Sequence, residues 1–288
     1  MLRFLRMGMA NLRKVGIIAG GGGLPALLAR QLHRQGVPFT LIALEGYANL
    51  KILASFSPNV IRLGAVGRIL SCLKRNECTE LVMIGPVKRP SWYRLCPDLK
   101  ALPFLWKLGE RFYKGDDALL KTIVSLLEQE GFEVKGADFY LPSCVGQKGF
   151  NRSLSSNEKK DLIFAWRFLT VTASFDMGQG CVVQNGRILA AEGPEGTDNM
   201  LKRVASLGIS CSKRAGLLLK KPKVNQEMRV DMPMIGLDTL RLASEAGLAG
   251  VAYEAGSTFV MDELLCQQMA AELGLFFGGV KIPPFNKD

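Results

Sequence analysis

The densest set of chemically capable side chains lies in residues 221–239, KPKVNQEMRVDMPMIGLDT. Lys221, Lys223, Gln226, Arg229 and Asp231 are closely spaced and interrupted by Pro222 and Pro233. Proline removes a backbone donor and clashes with a helix interior, so an ordered loop or short extended segment is predicted. Cations beside a carboxylate suit phosphoryl chemistry. The cations neutralise developing charge, and the carboxylate holds Mg²⁺ or orients water. An ordinary solvated loop is the bland alternative.

Four further clusters could meet a ligand. Gly20, Gly21, Gly22 and Leu24 belong to GGGGLP, which follows an apolar run and opens a helical pattern. Small residues there let backbone N–H groups approach a phosphate at a helix N-terminus. Pro25 stands where the third glycine of a dinucleotide fingerprint would be, although Glu45 follows the second apolar run. Phosphate or uridine cradling, a dinucleotide site and a tight turn all remain open. Lys88 and Arg89, in GPVKRP, end another strand pattern, where a parallel sheet lines its ligand crevice. Asp116 and Asp117 in GDDALL, and Thr197 and Asp198 in EGTD, open helical patterns. Asp116 and Asp117 read equally as capping or as contact with a metal or sugar hydroxyl, and in EGTD Thr197 or Asp198 can cap while the remaining carboxylate could face a ligand. Thr197 is the predicted cap of the second helix.

Absences narrow the chemistry. His33 is the single histidine. A histidine-rich metallophosphatase site, a Ser-His-Asp triad away from that position and an H-E-x-x-H zinc site are excluded, and no P-loop sequence occurs. The seven cysteines are odd in number and lack C-x-x-C spacing. That predicts a reducing, cytoplasmic setting without a disulfide framework. Any metal is then expected on oxygen ligands, which favours Mg²⁺, with Mn²⁺ as the alternative.

The elements that position these groups alternate. With 288 residues, 48% of them hydrophobic, the chain can build about two cored domains. Strands are predicted at 14–19, 39–44, 60–63, 80–84 and 132–134, with helices at 24–35, 66–74 and 116–130. Alternation of this kind implies an α/β fold with a mostly parallel, Rossmann-like N-terminal sheet. Beyond a boundary near 136–142 the pattern changes, giving domains 1–138 and 139–288. Helices are predicted at 157–172, 197–207, 238–246 and 262–273. Strands are predicted at 181–184, 187–190, 217–220 and 250–254, with Asn185-Gly186 as a hairpin turn. This half is a mixed α/β domain.

Of the net charge of +11, residues 1–137 carry +10, from 20 Lys/Arg less 10 Asp/Glu. A basic half draws phosphates, nucleic acid or anionic lipid, and charge alone does not choose. No apolar run reaches the roughly 18–20 residues of a spanning helix. The first fourteen residues, with Arg3, Arg6, Arg13 and Lys14, read as a frayed extension or as a short basic helix on a membrane surface.

Taken together, GGG-x-LP, IALEG at Ile42–Gly46, RLG at Arg62–Gly64, GDDALL, EGTD-x-ML and RVD-x-P-x-IG resemble the LpxI-type UDP-2,3-diacylglucosamine pyrophosphatases from Val15 to Gly279. The resemblance implies a two-domain enzyme of lipid A synthesis whose lipid substrate lies between the domains. It implies Mg²⁺-dependent hydrolysis to UMP and 2,3-diacylglucosamine 1-phosphate at the cytoplasmic surface of the inner membrane. A homodimer is a further expectation, and no nucleic-acid partner is expected. The family's essential aspartate matches Asp231, which with Asp198 is the expected metal pair. Expected substrate contacts are Gly20–Gly22, Leu24, Lys88, Arg89, Asp116, Asp117, Thr197, Asp198, Lys223, Gln226 and Arg229. Gly23 stands where the family pattern has Glu, Gly85-Pro86 where Gly-Arg is common, and Gln226-Glu227 where Gln-Asp is usual. A dinucleotide-binding oxidoreductase and a basic nucleic-acid-binding protein are the rival classes. Trp92, Tyr93 and Trp106 are the aromatic residues near the basic cluster.

Overall fold

The structure, a computed structural model, describes residues 13–88, 98, 116–175, 177–208 and 214–283. Two compact units divide between Leu141 and Pro142. In the first, the apolar runs become β1 (Val15–Ala19), β2 (Phe39–Leu44), β3 (Asn59–Ile61), β4 (Glu80–Ile84) and β5 (Glu133–Val134). They form a parallel sheet in the order β3-β2-β1-β4-β5. The helices α1 (Leu24–Arg34), α2 (Val66–Arg75) and α3 (Asp116–Gln129) supply the crossovers. Leu28 and Leu32 of α1 and Leu73 of α2 are fully buried, as are Ile17, Ile42 and Leu81 of the sheet. Each such side chain removed from water contributes roughly 1.5–3 kcal/mol.

This order has a consequence for ligands. The chain runs outward from β1 to β2 and β3 on one side and to β4 and β5 on the other. The carboxyl ends of β1 and β4 therefore flank the point where the winding reverses, the place where open α/β sheets bind ligands. The glycine loop leaves β1 there, and residues 85–88 leave β4.

The second unit is layered. α4 (Ser156–Thr172) precedes a hairpin of β6 (Gly180–Gln184) and β7 (Arg187–Ala191). Then follow α5 (Gly196–Ser206), β8 (Leu217–Lys220), β9 (Met234–Ile235), α6 (Leu237–Glu245), β10 (Gly250–Glu254), β11 (Phe259–Val260), α7 (Glu263–Glu272) and β12 (Phe276–Val280). The main sheet has the order β12-β10-β8-β6-β7, parallel from β12 to β8 and antiparallel from β8 to β7. Side chains alternate across it with the two-residue period of a strand. Val182, Leu218, Val251 and Phe277 pack in one core with residues of α5, α6 and α7. Cys181, Leu217, Leu219, Ala252 and Phe276 pack in another with Leu162, Trp166 and Leu169 of α4.

Local chemistry explains the boundaries. Ser155 and Glu158 close a reciprocal capping box at the start of α4. The predicted Asn185-Gly186 turn has both residues at positive φ, 51° and 71°. Its two amides donate to the buried Asp161 carboxylate at 2.9 and 2.7 Å.

The structure departs from the sequence expectations at the short strands β9 and β11, at β12 and at the cap of α5. β12 was not predicted, because FFGGV carries two glycines and Gly weakens a strand pattern. Those glycines are where the neighbouring chain presses closest. A Cβ on Gly278 would meet the Gly149 carbonyl oxygen at 1.9 Å, and one on Gly279 the Gln147 oxygen at 2.1 Å. Thr197 does not cap α5. The N-cap is Glu195, without a side-chain bond, and the Thr197 hydroxyl is engaged elsewhere.

Candidate active site

One end of the second sheet collects the polar groups. β6 begins, β7 ends and β8 ends at this end of the sheet, because β6 is antiparallel to both. Backbone bonds extend the ladder past the strands, from Lys221 N–H to Gln179 O at 2.9 Å and from Gly178 N–H to Glu192 O at 2.9 Å. Gln179, Glu192 and Lys220 are thereby fixed around the 221–236 loop.

Asp231 is the centre of the cluster. Its Oδ2 accepts from Gln179 Nε2 at 2.7 Å and from Gln226 Nε2 at 2.6 Å. Gln226 is buried, also donates to the Asp231 carbonyl, and accepts from the Lys223 amide at 2.7 Å. This glutamine staples the loop in place and fixes the carboxylate. Burial pushes the Asp231 carboxyl above the usual aspartate range. The Gln179 bond, the charge of Lys223, the Gln226 bond and the charge of Lys220 act in the opposite direction.

A second network adjoins it. Lys220, buried at the end of β8, donates to Thr197 Oγ1 at 2.7 Å and to the Met234 carbonyl at 3.3 Å. Thr197 donates in turn to Glu192 Oε1 at 2.8 Å. Glu192 Oε2 is buried and meets no hydrogen-bond donor among the described residues. Lys221 turns to the other side of the sheet, 3.7 Å from the Glu254 carboxylate and 5.2 Å from the Trp166 ring centre. Arg229 is held by Glu227 through two 2.8 Å contacts. Asp198 is exposed on the first turn of α5.

The first unit holds the other expected contacts. Gly20 N–H donates to Ile84 O at 2.8 Å and Gly21 N–H to Pro86 O at 2.9 Å. A Cβ on Gly20 would sit 2.4 Å from the Gly85 oxygen. These two glycines thus serve a close approach of the β1 and β4 loops, and their amides point into the protein. Gly22 follows them at positive φ, and α1 starts at Leu24. No acidic residue occupies the first turn of that helix. The Leu24 side chain is buried, and Lys88 is exposed just past β4. Asp117 pairs with Lys121 at 2.6 Å on α3, and Asp116 opens that helix. Arg89 and the basic segment 1–12 lie outside the described residues.

Comparison with known proteins follows the same division. Residues 14–144 match the LpxI N-terminal domain and residues 147–278 the LpxI C-terminal domain. The chain belongs to the LpxI family. It is also similar to a Caulobacter vibrioides protein named UDP-2,3-diacylglucosamine pyrophosphatase LpxI. The two are 38% identical over 275 residues, which cover 93% of this chain and 98% of that one. Every member of the Asp231 network lies inside the stretch matched to the LpxI C-terminal domain.

Three network residues were not anticipated from sequence. Lys220 could have been found, since it ends an apolar strand in the same way that Lys88 follows one. Gln179 and Glu192 carry no motif, and only strand pairing brings them to Asp231 and Thr197. Among the described residues no three His, Cys, Asp or Glu side chains form a metal cage. The available donors are carboxylate and hydroxyl oxygens, including the unpartnered Glu192 Oε2. Mg²⁺ is commonly held by one or two carboxylates with substrate phosphates completing its shell, and this donor set fits that arrangement.

Proposed function

We propose that this chain hydrolyses the pyrophosphate bond of UDP-2,3-diacylglucosamine, giving UMP and 2,3-diacylglucosamine 1-phosphate at the cytoplasmic surface of the inner membrane. It is a hydrolase, and the observation that carries the reading is Asp231. A partly buried carboxylate is fixed by two amides and faced by lysines, in a chain of this family. Fixed orientation and raised proton affinity suit a carboxylate that takes a proton from water. Lys220 and Lys223 favour its ionised form at working pH.

In the proposed reaction water attacks one phosphorus, the bond from that phosphorus to the bridging oxygen breaks, and the leaving phosphate departs with the bridging oxygen. Asp231 orients the attacking water and receives its proton. Asp231 and Asp198, with substrate phosphate oxygens, would hold Mg²⁺ or Mn²⁺, which when bound supplies charge neutralisation at the pyrophosphate. Lys223 adds positive charge to the loop, Arg229 is a proposed substrate contact whose charge is shared with Glu227, and Lys220 holds Thr197 and the loop carbonyl of Met234 in place. In the first unit, phosphate contacts fall to Gly22, Lys88 and Arg89.

The test is product analysis. Purified protein, Mg²⁺ and UDP-2,3-diacylglucosamine should yield UMP and the lipid 1-phosphate in equal amounts. Absence of UMP, with substrate recovered intact, would remove the proposed reaction.

A further inference from the structure

α4 has two unlike faces. Its inner face packs Leu162, Trp166 and Leu169 against the sheet. On its outer face Lys160, Ile163, Phe164 and Val171 recur at helical spacing and are exposed. The pattern continues into the following turn, Ala173–Phe175. Val171 is 65% and Phe175 77% exposed, and with Ile163 and Phe164 they make the exposed apolar side chains of one helix face rather than scattered single residues. Arg167 lies on the same face.

Charge separates this face from an ordinary solvated helix. The two carboxylates of α4 are both drawn away from it. Glu158 pairs with Arg152 at 2.8 Å and closes the capping box, and Asp161 is buried under the hairpin turn. Lys159 and Lys160 stay exposed. Among the described residues of α4 and the turn to Phe175, the outward face therefore combines apolar side chains with basic ones and presents no carboxylate. That is the composition of a helix lying in the headgroup layer of an anionic bilayer. No helix of the described residues is long and apolar enough to cross a membrane, so such a contact lies on the surface.

We propose that the outer face of α4, continued by Phe175, is a docking surface for an anionic phospholipid bilayer. The place in the fold suits that role. Trp166 on the inner face touches Lys221 at the start of the active-site loop, and the exposed Phe175 precedes Gln179, an Asp231 ligand, by one short stretch of chain. A bilayer on this face would lie beside the site loop of the same unit. The proposal rests on the reading above for its purpose, delivery of a lipid-linked substrate, whereas the contact itself needs no substrate.

The test is co-sedimentation of the full chain with vesicles lacking substrate. Wild type should bind vesicles of mixed phosphatidylglycerol and phosphatidylcholine, bind pure phosphatidylcholine less, and be released by salt. A triple variant, Phe164→Ser/Val171→Ser/Phe175→Ser, and a charge variant, Lys159→Glu/Lys160→Glu, should each bind roughly tenfold or more weakly. Both should keep the wild-type thermal midpoint and turnover of detergent-solubilised substrate. Binding by both variants equal to wild type, or no binding by wild type, would overturn the proposal. A wild-type dimer split by the triple variant would reassign the face to a second copy. A raised KM in detergent would reassign it to the substrate's own acyl chains. Vesicle binding by a wild-type protein that turns over no substrate would remove the proposed reaction and leave the docking surface standing.

Discussion

Replacing Lys220 with Met tests whether the two polar networks act as one. The variant keeps the length of the side chain and deletes its ammonium group, which donates to Thr197 Oγ1 at 2.7 Å and Met234 O at 3.3 Å. Hydrogen bonds from charged donors contribute roughly 1.5–3 kcal/mol each, and acceptors left buried without a donor add a desolvation cost. Relief from burying an amine offsets part of this. The net loss is about 2–4 kcal/mol, equivalent to roughly 4–15 °C in the midpoint of a unit this size. A second effect is electrostatic. The charge of Lys220 favours the ionised form of Asp231, so its removal raises that already elevated pKa further. The acid limb of kcat/KM should therefore move to higher pH. Lys221→Met is the control, because Lys221 faces Glu254 and Trp166. It should lower the midpoint and leave the acid limb in place. Thermal unfolding and pH–rate profiles of the three proteins decide the matter. A Lys220→Met enzyme with an unchanged midpoint and an unchanged limb would refute the coupling.

Three further outcomes are expected. Gly20→Ala forces a Cβ to within 2.4 Å of the Gly85 carbonyl, and it should destabilise by about 1–3 kcal/mol in denaturant unfolding; a wild-type midpoint would contradict the close approach. Asp231→Asn should be more stable than wild type at neutral pH, with the difference vanishing in acid. The sign follows from the raised carboxyl pKa: the native state holds the proton more tightly, so wild-type stability falls as pH rises from the unfolded aspartate value, about 3.9, through the native one. Equal pH dependence of the two midpoints would refute the burial effect. EDTA should abolish turnover and added Mg²⁺ restore it, with a zinc-specific chelator inert; full activity in EDTA would take the metal out of the reaction.

The fold was legible where pattern and local chemistry agreed. β2, β4, β8 and β10 have the bounds that their apolar runs indicate, and Asn185-Gly186 forms its turn. β12 escaped because its glycines answer a tertiary demand, the approach of residues 147–149, that no strand pattern records. The same division holds in the site. Asp231, Gln226 and Lys223 lie on one loop and were visible as a cluster. Gln179 and Glu192 join them through strand pairing, over sequence separations that spacing rules do not reach. Gln226, read from sequence as a substrate contact, has its amide engaged by the loop and by Asp231. The first two glycines of GGGGLP have their amides engaged by protein carbonyls. In both places the residue type was informative, and its partner depended on the neighbouring loop.

Asp231 is the residue on which the proposed chemistry depends. The direct measurement is kcat, substrate Kd and thermal midpoint for Asp231→Ala beside wild type, with UDP-2,3-diacylglucosamine and Mg²⁺. A group used in the transition state lowers kcat without weakening ground-state binding. Asp231→Ala should lose turnover by a factor of about 100 or more, bind substrate with a Kd equal to or tighter than wild type, and stay folded. Turnover within about tenfold of wild type, roughly 1.4 kcal/mol of barrier, would contradict it.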